Sequence, residues 1–358
     1  MKNQHYVRAV FLVILFIFIT ACQNKAEQEA EESQRSPVKE EAVIEEHAEE
    51  PVEEAAVYHF TLPLTGEKTN EPTNHRPIAV MVNNHPKARP QSGLHKADVV
   101  YEVLAEGAVT RFIAIYQSDM PEIIGPVRSA RNYYIELSKG YGAFYAAHGY
   151  SPEAYDMLKA GVIDHINGIT YDGTLFTRVS FRKAPHNSYI TYENLVKGAE
   201  LKGYSLEKEV HPLPFQSEER FKAVNGELAE NVEIDYLGRY NVSYHYNPNT
   251  STYYRFNDKE QTIDRESKTP VELKNVFIIE ADHRIIDNAG RREINLTSGG
   301  KALLLQNGVV QQVEWKNENG RLLPFLNGQK LKLLPGATWI NIIPSDPGIT
   351  QSINYNGI

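Results

Sequence analysis

The chain holds one cysteine, Cys22, in 358 residues. No intrachain disulfide can staple it, so whatever folds must be held by its hydrophobic core alone. About 300 residues suffice for that, because a chain of this length buries most of its apolar surface on folding. The same count excludes a zinc-finger or dithiol redox site.

The cysteine follows a distinctive N-terminus. Lys2 and Arg8 precede an unbroken apolar run of eleven residues, Ala9–Ile19. A membrane-spanning helix needs roughly 20 apolar residues, so this run has the length and flanks of a secretory signal instead. Ile19-Thr20-Ala21-Cys22 ends it with small residues before a thiol, a pattern that resembles the bacterial lipobox, with Ile19 where Leu is commoner. We expect residues 1–21 to be a signal peptide. Cys22 is then the lipidation site that anchors the chain to the extracytoplasmic face of the cell membrane.

Residues 23–56 hold twelve Glu against Lys25, Arg35 and Lys39, a balance of −9. The whole chain also carries −9 and residues 1–22 carry +2, which leaves −2 for residues 57–358. High charge with few large apolar residues cannot repay ordering entropy. Residues 22–56 therefore read as a lipidated cysteine and disordered acidic tether, its ends on the order of 30–35 Å apart. The near-neutral remainder has no basic stripe, which argues against nucleic acid.

Two domains are expected. In residues 57–205, RPIAVMVNN (76–84), ADVVYEVLAEG (97–107) and VTRFIAIYQS (109–118) read as strands, the last two as a hairpin. RSARNYYIELSKGYG reads as a helix with Arg128 and Arg131 sharing a face at its start. Ser151-Pro152 starts another helix that Gly161 closes, and Thr191 caps a third. Strands alternating with helices indicate an α/β domain with a mixed sheet. A linker follows over 206–228. Residues 229–358 alternate apolar and polar residues, with six Tyr between 236 and 254, and place Asn307-Gly308 and Asn327-Gly328 between apolar runs. Those dipeptides are strong hairpin signals, so this part reads as a smaller all-β domain, a barrel or sandwich.

Several residues are candidates for chemistry. Glu102 and Glu106 lie at i and i+4, on one face of a straight strand with Cα atoms about 13 Å apart. That is wide for a carboxylate pair, but one glutamate of raised pKa suffices for acid/base cleavage of a glycan. The bland alternative is pairing with a nearby arginine. Arg111, Arg128 and Arg131 gather near the hairpin and the next helix, and cations at a helix N-terminus ask for an anion. Asn83, with Asn84 and His85, follows a strand end, as His148 does, where ligand groups sit in α/β sheets. His186 and Asn187 lie in FTRVSFRKAPHNSY (176–189), read as an irregular loop. His spacing fits no metal motif, no G-x-S-x-G elbow exists, and neither metal nor cofactor is expected.

These motifs together, RPIAVMVNN, ARPQSGL, ADVVYE…EG…TRF, IGPVRSAR and APHN.Y, then YHYNP…Y.R and LLPGATWI, resemble the YerB-like lipoprotein family of Gram-positive bacteria over roughly residues 60–355. The resemblance implies an envelope lipoprotein of two domains of unknown function. It raises the standing of Asn83, Glu102, Glu106, Arg111, Arg128, Arg131, His186 and Asn187. Three readings stand. The first is a module binding cell-wall polymer or an envelope protein, with an Arg/Glu/Asn cleft and a Tyr-rich surface on the β domain. The second is a muramidase-like or transglycosylase-like enzyme using Glu102 or Glu106. The third is a pure interaction adaptor.

Overall fold

Strands buried on both faces show no alternation in sequence, and the centre of this fold is built from them. The structure, a computed structural model, describes residues 58–72, 74–217, 225–236 and 240–355. The expected signal peptide, Cys22 and the acidic stretch before residue 57 lie outside these residues.

The N-terminal region begins with β1 (Ile78–Asn83), β2 (Val99–Leu104) and β3 (Thr110–Tyr116), every residue of them buried. Helix α1 (Asn132–Lys139), β4 (Phe144–Ala147), α2 (Pro152–Lys159) and β5 (His165–Asn167) follow. Then come β6 (Phe176–Arg178), β7 (Ser188–Thr191) and α3 (Tyr192–Lys202). Ser151 Oγ accepts from Ala154 N at 3.2 Å and Thr191 Oγ1 from Asn194 N at 3.1 Å, which caps α2 and α3 as their sequences require. The stretch 176–189 is less irregular than its sequence suggests, since its ends are β6 and β7, paired antiparallel. Helix α1 starts later than expected. Arg131 is its N-cap, with extended backbone at φ −132° and ψ 156°, and the preceding residues are not helical. Arg128 and Arg131 therefore do not share a helix face. The backbone of Arg128 is spent on the sheet, its N–H bonding Met81 O at 3.0 Å.

Among its described residues the C-terminal region is β apart from one helical turn at Ile349–Ser352. It contains β8 (Asn231–Tyr236), β9 (Tyr240–Asn247), β10 (Thr252–Asn257), β11 (Asn275–Ala281), β12 (His283–Ile285) and β13 (Arg292–Ile294). It continues with β14 (Gly300–Gln306), β15 (Val309–Glu318), β16 (Arg321–Leu326) and β17 (Thr338–Pro344). Asn307-Gly308 and Asn327-Gly328 both take left-handed φ, 50° and 76°, then 51° and 77°. These are the tight turns that join β14 to β15 and β16 to the short strand Gln329–Lys330.

One sheet crosses both regions in the order β16, β15, β14, β11, β17, β2, β3, β1, β4, β5. The join is parallel, with Ile340 of β17 opposite Tyr101 of β2. Helices α1 and α2 cover one face through Tyr133, Tyr134, Ile135, Leu137, Ala154 and Leu158. The other face packs on α3 and on the antiparallel sheet of β8, β9 and β10, a sandwich-like arrangement. That packing takes in the tyrosines that the sequence offered as a surface. Tyr236, Tyr244 and Tyr253 are buried, while Tyr240, Tyr246 and Tyr254 are half-buried.

Gly140, after α1, meets Gly320 of the β15–β16 turn backbone to backbone. A Cβ at 140 would lie 2.4 Å from the Gly320 carbonyl. Arg321 Nε also donates to Gly140 O at 2.9 Å. Neither backbone can yield cheaply, so Gly140→Ala is expected to cost about 1–3 kcal/mol, read as a lower urea midpoint at unchanged slope. A midpoint equal to wild type would show that this contact is not close.

Candidate functional site

The C-terminal ends of the parallel neighbours β1 and β4 open into the segment 126–131, which lies across them. Asn83 N bonds Pro126 O at 2.9 Å and His148 N bonds Arg128 O at 2.9 Å. On its far side Val127 N bonds Ser188 O at 2.6 Å. This brings Asn83, Arg128, Arg131, His148 and the 179–187 loop together, at the place where α/β sheets offer loop groups to ligands.

Glu106 sits in the β2–β3 turn and is shared by two arginines. Arg111 Nη2 donates to its Oε2 at 2.6 Å, Arg131 Nε to its Oε1 at 2.7 Å, and Arg131 Nη2 bonds the same oxygen. Arg111 and Arg131 further anchor on Ser129 O and Ala130 O. Partial burial would raise the Glu106 carboxyl, but Arg111 and Arg131 outweigh it and hold it below the usual carboxylate range. That is the reverse of what a general acid needs.

Arg128 is the hub of the cations. Burial, then Arg111, pushes its guanidinium down to about 10, and Glu106 only partly offsets them. Its Nη1 donates to Pro185 O at 3.2 Å, and its Nε is buried without a hydrogen-bond partner. Beside it His85 stacks on His186, ring centroids 4.5 Å apart and planes at 28°. Asn83 Nδ2 donates to His186 Nδ1 at 2.9 Å while Asn83 Oδ1 accepts from His85 N, and Lys87 N donates to His85 Nδ1 at 3.1 Å. With both Nδ1 atoms accepting, the network assigns each neutral ring a proton on Nε2. Burial lowers both imidazoles first; Lys87, Arg128 and Arg89 then lower His85, and His85 itself, Arg128, Lys87 and Arg182 lower His186.

His148 closes the other side. Arg178 Nη2 donates to its Nε2 at 2.7 Å, so its proton lies on Nδ1 and points to Ser188 Oγ at 2.7 Å. Burial and Arg178 lower its pKa. Arg178 also pairs with Asp172 at 3.1 Å and bonds Asn187 Oδ1 at 3.2 Å. Asn187 therefore braces the loop, its Nδ2 returning to Val179 O. The assembly is a cationic cluster with neutral imidazoles, a chemistry suited to a phosphate or carboxylate.

Glu102 stands elsewhere. β2 ends at Leu104, so the i,i+4 relation with Glu106 is lost and the two carboxylates serve different layers. Glu102 faces the β8–β10 sheet, fully buried, and pairs with Arg255 of β10 rather than with the arginines nearer in sequence. Arg255 Nη2 is 2.9 Å from both carboxylate oxygens. Thr110 Oγ1, Asn84 Nδ2 and Trp339 Nε1 donate to Glu102 at 2.8, 3.2 and 3.1 Å. The guanidinium packs against both Phe112 and Trp339, 5.1 and 4.8 Å from the ring centroids. From this pair the network runs to the cleft. Arg89 Nε and Gln91 Nε2 donate to Asn84 Oδ1 at 3.1 and 3.2 Å, and Gln91 Nε2 also donates to Asn83 O at 3.0 Å.

Sequence reasoning overlooked Arg255, Trp339, Lys87 and Arg89. For Arg255 a signal existed, since it occupies an inward position of an alternating strand, where a charge needs a buried partner. Among the described residues no group of three or more His, Cys, Asp or Glu could hold a metal ion.

Breaking one side of the buried pair leaves a charge uncompensated, so Arg255→Met is expected to cost about 3–5 kcal/mol. Glu102→Gln/Arg255→Met together should cost less than the sum of the two single changes. Urea denaturation of all four proteins measures the coupling, and additive costs would show that the pair does not act as a unit.

Residues 64–205 match the N-terminal domain, and residues 232–340 the C-terminal domain, of a protein family of unknown function (DUF3048). The chain is 51% identical over 287 residues to a Bacillus subtilis (strain 168) protein named "Putative lipoprotein YerB", covering 79% of this chain and 86% of that one. A crystal structure of the YerB protein from Bacillus subtilis superposes with a TM-score of 0.76 at 50% identity, covering 80% of this chain and 97% of the other. The chain therefore belongs to the DUF3048 family, together with YerB.

Proposed function

We propose that this protein is a lipid-anchored envelope protein on the extracytoplasmic face of the cell membrane, and that it binds an anionic cell-wall polymer in the cleft around Arg128. The observation that carries the reading is Arg128 itself. It is partly buried among Arg111, Arg131 and Arg178, and its guanidinium is held by Pro185 O rather than by a carboxylate. Like charges held this close raise the energy of the free protein, and a bound anion relieves that cost. Glycan cleavage is less well supported, because Glu106 is held ionised by two arginines and Glu102 has no exposed surface. The anchor rests on the sequence around Cys22 and on the name of the relative.

Co-sedimentation of the full chain with isolated walls tests the cleft, with walls stripped of phosphodiester polymer as the comparison. Arg128→Ala is expected to weaken retention about 10-fold or more, the worth of a charge-assisted hydrogen bond. Stripping should do the same if phosphate is the ligand, and leave retention intact if peptide carboxylates are. Equal retention of wild type and variant would defeat the reading.

The histidines add a pH dependence. With both pKa values below 6.5, His85 and His186 are mainly neutral at pH 7 and gain charge as pH falls. Retention should rise from pH 7 towards pH 5 and stay flat in His85→Asn/His186→Asn. A rise preserved in that variant would place the titration elsewhere.

For the anchor, Cys22→Ala should accumulate at unprocessed mass without incorporating labelled fatty acid. Labelling or processing as in wild type would exclude Cys22 as the lipid site.

A further inference from the structure

A groove of about 560 Å³ opens between α1 and the β12–β13 hairpin, and the cleft around Arg128 uses none of its lining. Its volume lies within the range of small-molecule sites. Three carboxylates face it, Glu136, Asp282 and Glu293. The arginine that lines it, Arg284, is already paired with Glu293. The groove is therefore net negative, and an anion that suits Arg128 is repelled here.

Its hydrogen-bonding groups are of a consistent kind. The side chains of Asn132 and Glu136 have no partner among the described residues. Asn295 spends its Oδ1 on Thr297 and Ser298, which leaves its amide N–H groups for another acceptor. Ile294 and Leu296, both 7% exposed, supply an apolar wall. Carboxylates accept from hydroxyls, free amides donate to carbonyl or hydroxyl oxygens, and an apolar wall takes the C–H face of a ring. Uncharged sugars present all three surfaces at once. We propose that this groove is a second binding site, for an uncharged acetamido-sugar chain.

The groove and the cationic cleft are neighbours. Asn132 directly follows Arg131, and Arg292 Nη2 donates at 2.7 Å to Gly107 O in the turn that carries Glu106. A polymer with neutral sugars beside acidic groups meets both sites with one strand.

The test titrates the full chain with the neutral trisaccharide of N-acetylglucosamine by calorimetry. Saturable binding is expected, weakened about five-fold or more by Asn132→Ala and by Glu136→Ala. Glu136→Gln keeps an acceptor oxygen and should retain more binding than Glu136→Ala. Glu136 is exposed and Asn132 half-buried, and unchanged thermal melts verify that the variants fold. Absence of saturable binding by wild type, or binding that both alanine variants keep in full, overturns the proposal. The probe carries no acid group, so the outcome is independent of whether the Arg128 cleft holds an anion.

Discussion

The pair between Glu102 and Arg255 ties the two packed sheets together. Its carboxylate comes from β2, at the middle of the large sheet, and its guanidinium from β10, in the sheet packed on it. Taking two charges out of water is expensive, and their attraction compensates only when the remaining lone pairs and protons are satisfied. Here they are. Thr110, Asn84 and Trp339 complete the carboxylate. Thr262 and Asn257 accept from the guanidinium at 2.7 and 3.1 Å. A hydrophobic pair would hold the layers equally well. What the polar pair adds is direction, because hydrogen bonds fix where each partner sits and apolar contacts do not. Asn84 occupies the junction, one residue past β1, and transmits that placement to the loop carrying His85, Lys87 and Arg89.

The cleft depends on such support because its charges oppose one another. Arg111, Arg128 and Arg131 face one carboxylate, Glu106. Left mobile, they would spread into solvent. Backbone carbonyls of Ser129, Ala130 and Pro185 hold them instead. The net charge of −9 gives no sign of this, and neither does the −2 of residues 57–358, because acidic residues elsewhere in that part offset the cluster. Local arrangement, rather than sum, sets the field that an incoming anion meets.

Much of the fold was legible because it is written locally. The β2–β3 hairpin, the Ser151 and Thr191 caps and the two Asn-Gly turns each depend on a few adjacent residues, and each is found where those residues put it. The union of β2 with β17 is not local. Strands some 240 positions apart pair in parallel, both buried on both faces, and only the folded chain brings them together. The start of α1 was misplaced for a related reason. IGPVRSAR has no helix breaker after Pro126, yet its backbone groups bond β1, the residues just after β4, and β7, and tertiary pairing overrides local preference. At the site, arginines close in sequence to a glutamate were legible as partners of Glu106. The partner of Glu102 lies 153 residues away.

The tyrosines show how the same alternation can mislead about function. A strand rich in Tyr reads equally as a sugar-stacking surface or as a core, because Tyr suits both. The second sheet face decides between them. β8, β9 and β10 lie against the large sheet, so inward positions 236, 244 and 253 are covered, and their hydroxyls find partners inside. Tyr236 and Tyr244 meet Asn341 at 3.1 and 2.7 Å, and Tyr253 meets Ala229 O at 3.1 Å. Those bonds let polar rings pack where Phe would leave Asn341 unsatisfied. Tyr236, Tyr244 and Tyr253 are thus part of the core. The groups proposed for recognition lie on turns and helix ends around Arg131 and Asn132.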